Sequence, residues 1–248
     1  MQTDYKEKIM KRVFLAILVF ALCVSGASAD SLQVNNAAAL AGSFGLEVTH
    51  DNASIAYVQD DTPAGEKVYR AEFMINVASA DLNPGEAMRQ TIFVAIGNNP
   101  RPGVGLCHPT NAFIEAIRCF HRPINFGVGT RQGVLCWSRG DFCGERSVPE
   151  NLWIDDGPGG GGVDQDGASK LCVEWESNSG TDAGKIRMGV VDDGASCSTA
   201  TLGEADVTNN DVTVEFVRLG TPQMNGFGMG ENFTYYYDDF ASFRTVSP

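Results

Sequence analysis

The chain has 248 residues, 31 of them acidic and 18 basic, for a formal charge of −13, with three histidines and seven cysteines. That balance argues against a phosphate-backbone binder, which needs a basic face, and leaves cation binding or solubility outside the cell as the readings of the charge. The longest apolar run, 13–24, falls short of the roughly 20 residues needed to cross a bilayer.

The N-terminus carries Lys6, Lys8, Lys11 and Arg12, then that apolar run, then Ala27, Ser28 and Ala29. This order of charged, apolar and small residues predicts a signal peptide over 1–29, with Met10 as an alternative start. Cys23 follows the bulky Leu22, which disfavours a lipid-modified cysteine. Cleavage after Ala29 leaves 219 residues, 14 basic against 29 acidic, a size suited to one all-β domain over 30–248.

Period-two alternation dominates the rest. In Val68–Val77 the set Tyr69, Ala71, Phe73, Ile75 and Val77 alternates with Arg70, Glu72, Met74 and Asn76, predicting a half-buried strand. Further strands are expected at Phe44–His50, Ile55–Gln59, Arg89–Ile96, Gly133–Ser138, Lys170–Glu176, Lys185–Val191, Val212–Leu219 and Thr234–Arg244. Turn clusters rich in Asp, Asn, Pro and Gly separate them at 60–65, 98–103 and 178–182. The one helix expected is short, Thr110–Arg118, on the spacing of Phe113, Ile114 and Ile117. Many strands without βα alternation predict an antiparallel β-sandwich or barrel.

Six cysteines remain after the leader: Cys107, Cys119, Cys136, Cys143, Cys172 and Cys197. An even number in an exported chain reads as three disulfides. The expected pairing joins neighbours: Cys107 with Cys119, Cys136 with Cys143, and Cys172 with Cys197.

Two stretches are specific enough to compare with a family. Near the start, Ala37–Val48 leads into Tyr57-Val58-Gln59-Asp60 and Tyr69-Arg70-Ala71-Glu72-Phe73; at the end, Val217-Arg218-Leu219-Gly220 precedes Thr234-Tyr235-Tyr236-Tyr237-Asp238-Asp239-Phe240. In that order the chain resembles the concanavalin A-like, laminin-G-like jelly-roll domains of bacterial exported proteins. The resemblance implies an antiparallel jelly-roll sandwich, glycan binding, adhesion or glycanase activity, and a structural Ca²⁺ held by Asp238 with Glu47 nearby. Calcium takes oxygen ligands of this kind. A cysteine-rich insertion at about 100–145 departs from the family pattern.

Several groups are candidates for chemistry. Glu174 and Glu176 in Val173-Glu174-Trp175-Glu176 share one face of a predicted strand, and a glycosidase needs two carboxyls about 5–10 Å apart. The Glu-x-Asp-x-Glu pattern of sandwich glucanases is absent, since Trp175 takes the middle place. His108 and His121 flank Cys107 and Cys119; a Cys107–Cys119 bond brings the imidazoles together as a metal or acid/base pair, and the alternative is hydrogen-bonded loop histidines. Asp155, Asp156, Asp164 and Asp166 surround a glycine run but miss the EF-hand register, because Val173 stands where the closing Glu belongs. Trp137 and Trp153 are candidate sugar-stacking platforms, while Trp175 reads as core.

The expected function is a non-catalytic, secreted carbohydrate-binding or adhesion module, with Trp137 and Trp153 stacking on a glycan or cell-surface polysaccharide. A secreted polysaccharide-degrading enzyme, hydrolase or lyase, is the alternative, and a self-assembling surface protein the third.

Overall fold

A strand whose side chains alternate between apolar and polar must bury one face, and two such sheets satisfy each other by stacking. The computed structural model describes residues 31–50, 55–77, 90–98, 113–125, 130–139, 145–147, 154–155, 168–178, 183–192, 195–207, 209, 211–222 and 233–244. The expected leader, Cys107, His108, Cys143, Trp153 and the acidic glycine-rich stretch 156–166 lie outside them.

The described strands are β1 (Ser31–Asn35), β2 (Gly45–His50), β3 (Ala56–Asp60), β4 (Val68–Asn76), β5 (Gln90–Asn98), β6 (Phe113–Asn125), β7 (Thr130–Arg139), β8 (Glu145–Ser147), β9 (Ile154–Asp155), β10 (Ser169–Glu176), β11 (Gly184–Asp192), β12 (Gly203–Val207), β13 (Val214–Thr221) and β14 (Phe233–Phe243). One sheet runs β1-β2-β14-β4-β10-β11-β12, the other β3-β13-β5-β6-β7-β8, with β9 also on β7. Every pairing is antiparallel. The protein is an antiparallel jelly-roll β-sandwich.

The core lies between the sheets. Tyr69, Phe73, Ile75, Trp175, Tyr235 and Tyr237 come from the first sheet, and Phe93, Ile117, Cys119, Val134 and Leu219 from the second. Burying each of the larger apolar chains contributes about 1.5–3 kcal/mol. Trp175 is core as expected; its Nε1–H donates to Ser138 Oγ at 3.0 Å, and the Ser138 hydroxyl donates in turn to Ala116 O at 2.6 Å. The indole thus ties the sheets while keeping its one polar atom satisfied.

Two expectations are corrected here. The helix at Thr110–Arg118 is instead part of β6, from Phe113 onward. β6 carries one extra residue against Ala95 and Ile96, so Ala116 is bulged. Ala116 and Ile117 are both buried, and Ile114 packs partly on the core. A bulge shifts the strand phase by one, which turns a spacing of two into the spacing of three that imitates a helix.

The disulfide pairing also differs. Cys119 is bonded to Cys136 across 17 residues, so neither the Cys107–Cys119 nor the Cys136–Cys143 bond exists; Cys172 is bonded to Cys197 as expected. Cys119 and Cys136 are direct register partners on β6 and β7. Antiparallel pairing, not closeness in sequence, selects the bond. With Cys119 so engaged, no disulfide draws His108 to His121. The two disulfides accord with an exported protein. Among the described residues no helix is long and apolar enough to cross a membrane.

Candidate functional site

Three inward strand phases end in a polar or hydroxyl-bearing ring. β2 runs Leu46, Val48, His50; β6 runs Ile117, Cys119, His121; β14 runs Phe233, Tyr235, Tyr237. Register sets His50 opposite Phe233 and Gln90, the first residue of β5, opposite His121. His50, His121 and Tyr235 are each 0 % exposed and Gln90 3 %.

His121 Nδ1 lies 3.0 Å from Tyr235 Oη, the rings perpendicular with centroids 5.7 Å apart. Phe233 stands edge-on to Tyr235 at 5.4 Å and tilts against His50 at 4.9 Å. Burial pushes the Tyr235 phenol well above the usual tyrosine range, because a phenolate would lose its hydration there. The phenol therefore keeps its proton: it donates to His121 Nδ1 when the imidazole carries its proton on Nε2, and accepts from Nδ1–H in the other tautomer. Tyr237, also held protonated by burial and then by Tyr235 beside it, donates to Gly220 O at 3.2 Å.

The outer face of the first sheet is ionic. Phe243, Arg70, Glu174, Arg187 and Glu204 are successive register partners across β14, β4, β10, β11 and β12. Arg70 stacks over Phe243 at 4.1 Å and pairs with Glu72 at 3.0 Å. Arg187 Nη1 reaches Glu176 at 3.0 Å and Glu174 at 3.4 Å, while its Nε donates to Glu204 at 2.6 Å. Lys185, then Arg187, hold the Glu204 carboxyl below the usual range by hydrogen bonding. Burial opposes the charge of Arg187, but the hydrogen bonds it donates to Glu204 and Glu176 outweigh it and raise its pKa.

Glu174 and Glu176 do share a face. They also share one guanidinium, and Glu174 is only 3 % exposed. Glu174, held in this way, braces the sheet from a buried place, whereas Glu176 is 30 % exposed beside the same guanidinium.

Trp137 is 8 % exposed and packs with Phe120 and Leu135, edge-on to Phe120 at 4.9 Å, with Arg118 5.3 Å above it. Its indole faces are covered, as core packing requires. Asp238 accepts backbone N–H bonds from Leu40 at 2.9 Å and Ala41 at 2.7 Å on Oδ2, and from Asp239 at 2.7 Å on Oδ1. Glu47 accepts from the Asn35 side chain at 2.8 Å. These neighbours supply N–H donors where calcium requires oxygens, so Asp238 and Glu47 do not fit a calcium cage, and no group of three metal-ligating side chains forms among the described residues.

His50, Gln90 and Tyr235 are not among the residues the sequence singles out as candidates, although a signal for them exists. Each occupies the inward phase at a strand end, where an apolar residue is the norm.

No family model matches the chain and no curated protein matches its sequence. Among solved structures the chain is similar to endo-β-1,4-glucuronan lyase from the fungus Trichoderma reesei, with 14% identity over 88% of this chain and 91% of that one and a TM-score of 0.52. Weaker similarities are to alginate lyase vAL-1 from Chlorella virus, 10% identical over 86% and 88% with a TM-score of 0.44, and to the cellulose induced protein Cip1, 12% identical over 90% and 89% with a TM-score of 0.42. Likeness at this level is one of fold. It corrects the reading as a non-catalytic binding or adhesion module, because the solved structure similar at a TM-score above 0.5 is that of a glucuronan lyase.

Proposed function

We propose that the chain is a secreted polysaccharide-degrading enzyme that cleaves uronate-containing glycans by elimination, with the leader 1–29 directing export. The observation that carries it is the 3.0 Å contact between His121 and Tyr235, an imidazole that in its Nε2–H tautomer can accept a proton, against a phenol that holds one. Hydrolysis needs a pair of carboxyls. The one buried acid among the described residues, Glu174, lies on the other face of the first sheet against Arg187. Elimination needs a base and an acid.

With substrate in place of their mutual hydrogen bond, His121 takes the proton on C5, alpha to the uronate carboxylate. The electron pair forms the C4=C5 double bond, the C4–O bond breaks, and Tyr235 gives its proton to the leaving oxygen. Gln90, opposite His121, brings an amide that can bond the carboxylate. The fold shared with a glucuronan lyase supports this substrate class.

Full burial of both rings favours a second reading, a hydrogen bond that only ties the sheets. Tyr235→Phe separates them on a panel of uronate polymers, scored by the ultraviolet absorbance of the new double bond. Loss of about 10²–10⁴-fold in rate at an unchanged melting temperature supports catalysis. Activity that survives the change sinks the acid role, and a lowered melting temperature in a chain inert on every polymer leaves the tie.

A further inference from the structure

The outer face of the second sheet carries a cation that no carboxylate among the described residues pairs with. Arg218 on β13 is half-buried, its guanidinium carbon 4.5 Å from the Tyr57 ring centroid and 5.2 Å from that of Phe216. Its Nε donates to Gln59 Oε1 at 2.8 Å, and the Gln59 amide donates onward to Asp61 at 2.7 Å, which fixes the orientation of both groups. Each other lysine or arginine whose side chain is described pairs with a carboxylate. Among the described residues Arg218 has no such partner, and its two terminal amino groups make no hydrogen bond. In a chain with 31 acidic residues, a rigid arginine without an acid is unusual.

Aromatic surface continues on both sides of it. Phe113, 52 % exposed, lies edge-on to Phe216 at 5.8 Å. Tyr57 on β3 flanks Arg218 from the other side. Its register partner, Gly220, has φ 127°, and a Cβ there would fall 2.5 Å from Ala56 O, so no side chain can stand in that place. The strip crosses β3, β13, β5 and β6, a width of about 14 Å at about 4.8 Å per strand.

We infer that this strip is a docking site for a carboxylated pyranose, separate from the His121–Tyr235 pair: the carboxylate is taken by the free edge of Arg218 and the CH faces of the sugar by Tyr57, Phe216 and Phe113. A planar guanidinium matches a carboxylate in two parallel hydrogen bonds, and flat rings match the apolar faces of pyranoses. The net negative charge of the protein repels polyanions at long range but is screened beyond about 8 Å in physiological salt. Attraction therefore depends on this short-range contact. The choice of a sugar acid over another flat anion rests on the proposed function; the anion requirement rests on Arg218 alone.

Calorimetric titration of the full protein with a glucuronate trimer, a neutral glucose trimer, acetate and a short polyglutamate peptide tests the site. Arg218→Gln and Tyr57→Leu are compared with the wild type, and elimination is followed in the same samples. Wild type is expected to bind the glucuronate trimer more tightly than the others. Arg218→Gln should weaken it about tenfold or more, the loss of one charge-assisted hydrogen bond pair, and Tyr57→Leu should weaken it with the charge retained, both at unchanged melting temperature. Equal binding of the glucuronate trimer by Arg218→Gln and wild type overturns the proposal, as does equal binding of the neutral trimer, acetate or polyglutamate. If Tyr235→Phe abolishes elimination while Arg218→Gln leaves trimer binding unaltered, the docking strip fails and the proposed function stands; trimer binding lost at Arg218 in a chain with no lyase activity gives the reverse.

Discussion

Cys119 and Cys136 face each other as register partners on β6 and β7, and the bond between them lies two residues before His121. The covalent rung clamps the two strands where the inward phase changes from apolar core to polar ring. Closing a loop of 17 residues contributes about 3 kcal/mol by restricting the unfolded chain. The double variant Cys119→Ala with Cys136→Ala should lose roughly that amount in a urea melt. It should also lower activity more than an equally destabilising change far from β6, because His121 is no longer anchored. Activity that tracks stability alone would remove the positioning role.

Arg187 is shared by Glu174, Glu176 and Glu204. Replacing it with Leu strands Glu174, 3 % exposed, as a buried carboxylate, which should cost about 3 kcal/mol. Glu174→Leu in that background should restore much of the loss, since the apolar pair has no charge to leave unmatched. A double-mutant cycle by denaturant unfolding measures the coupling, and additive effects would show that the three-way ionic contact is only apparent.

Acid should weaken the fold through two carboxyls. Lys185 and Arg187 hold Glu204 below its unfolded-state pKa by hydrogen bonding; at Asp60 burial works against ionisation, but bonds from Thr62 and Ser242 and the charge of Arg244 outweigh it. A depressed carboxyl contributes stability that is complete above the unfolded value and is lost as pH falls through the folded one. Glu204→Gln should therefore melt below wild type near neutral pH and converge with it at about pH 2. A constant gap across that window contradicts the assignment.

Tyr235 bears on the pH profile of the proposed reaction. Its pKa is raised well above the ordinary tyrosine value by burial, so the acid remains protonated through the neutral and mildly alkaline range. The elimination rate should show no alkaline decline from this group below about pH 10. A fall in kcat at lower pH in wild type that disappears in Tyr235→Phe would point to a solvated phenol and against the buried pair as the site.

Much of the fold was legible because a strand announces its two faces locally. Tyr69, Ala71, Phe73 and Ile75 are inward as their alternation predicts, and all have 0 % exposure. Glu174 and Glu176 share a face for the same reason. The bulged Ala116 hid β6, since phase is readable only while it is uninterrupted. The short or weakly patterned β1, β8, β9 and β12 carry too few residues for a period to emerge.

The sequence by itself determined which side chains turn inward and that antiparallel sheets must pair them in a sandwich or barrel, because both follow from a period of two residues. Only the tertiary structure decided that Cys119 bonds Cys136, that Arg187 pairs with both Glu174 and Glu176, and that His121 meets Tyr235, 114 residues away. Those contacts depend on strand register and on which sheet faces which. Neither is a property of any one segment; both are selected by the packing of the whole core.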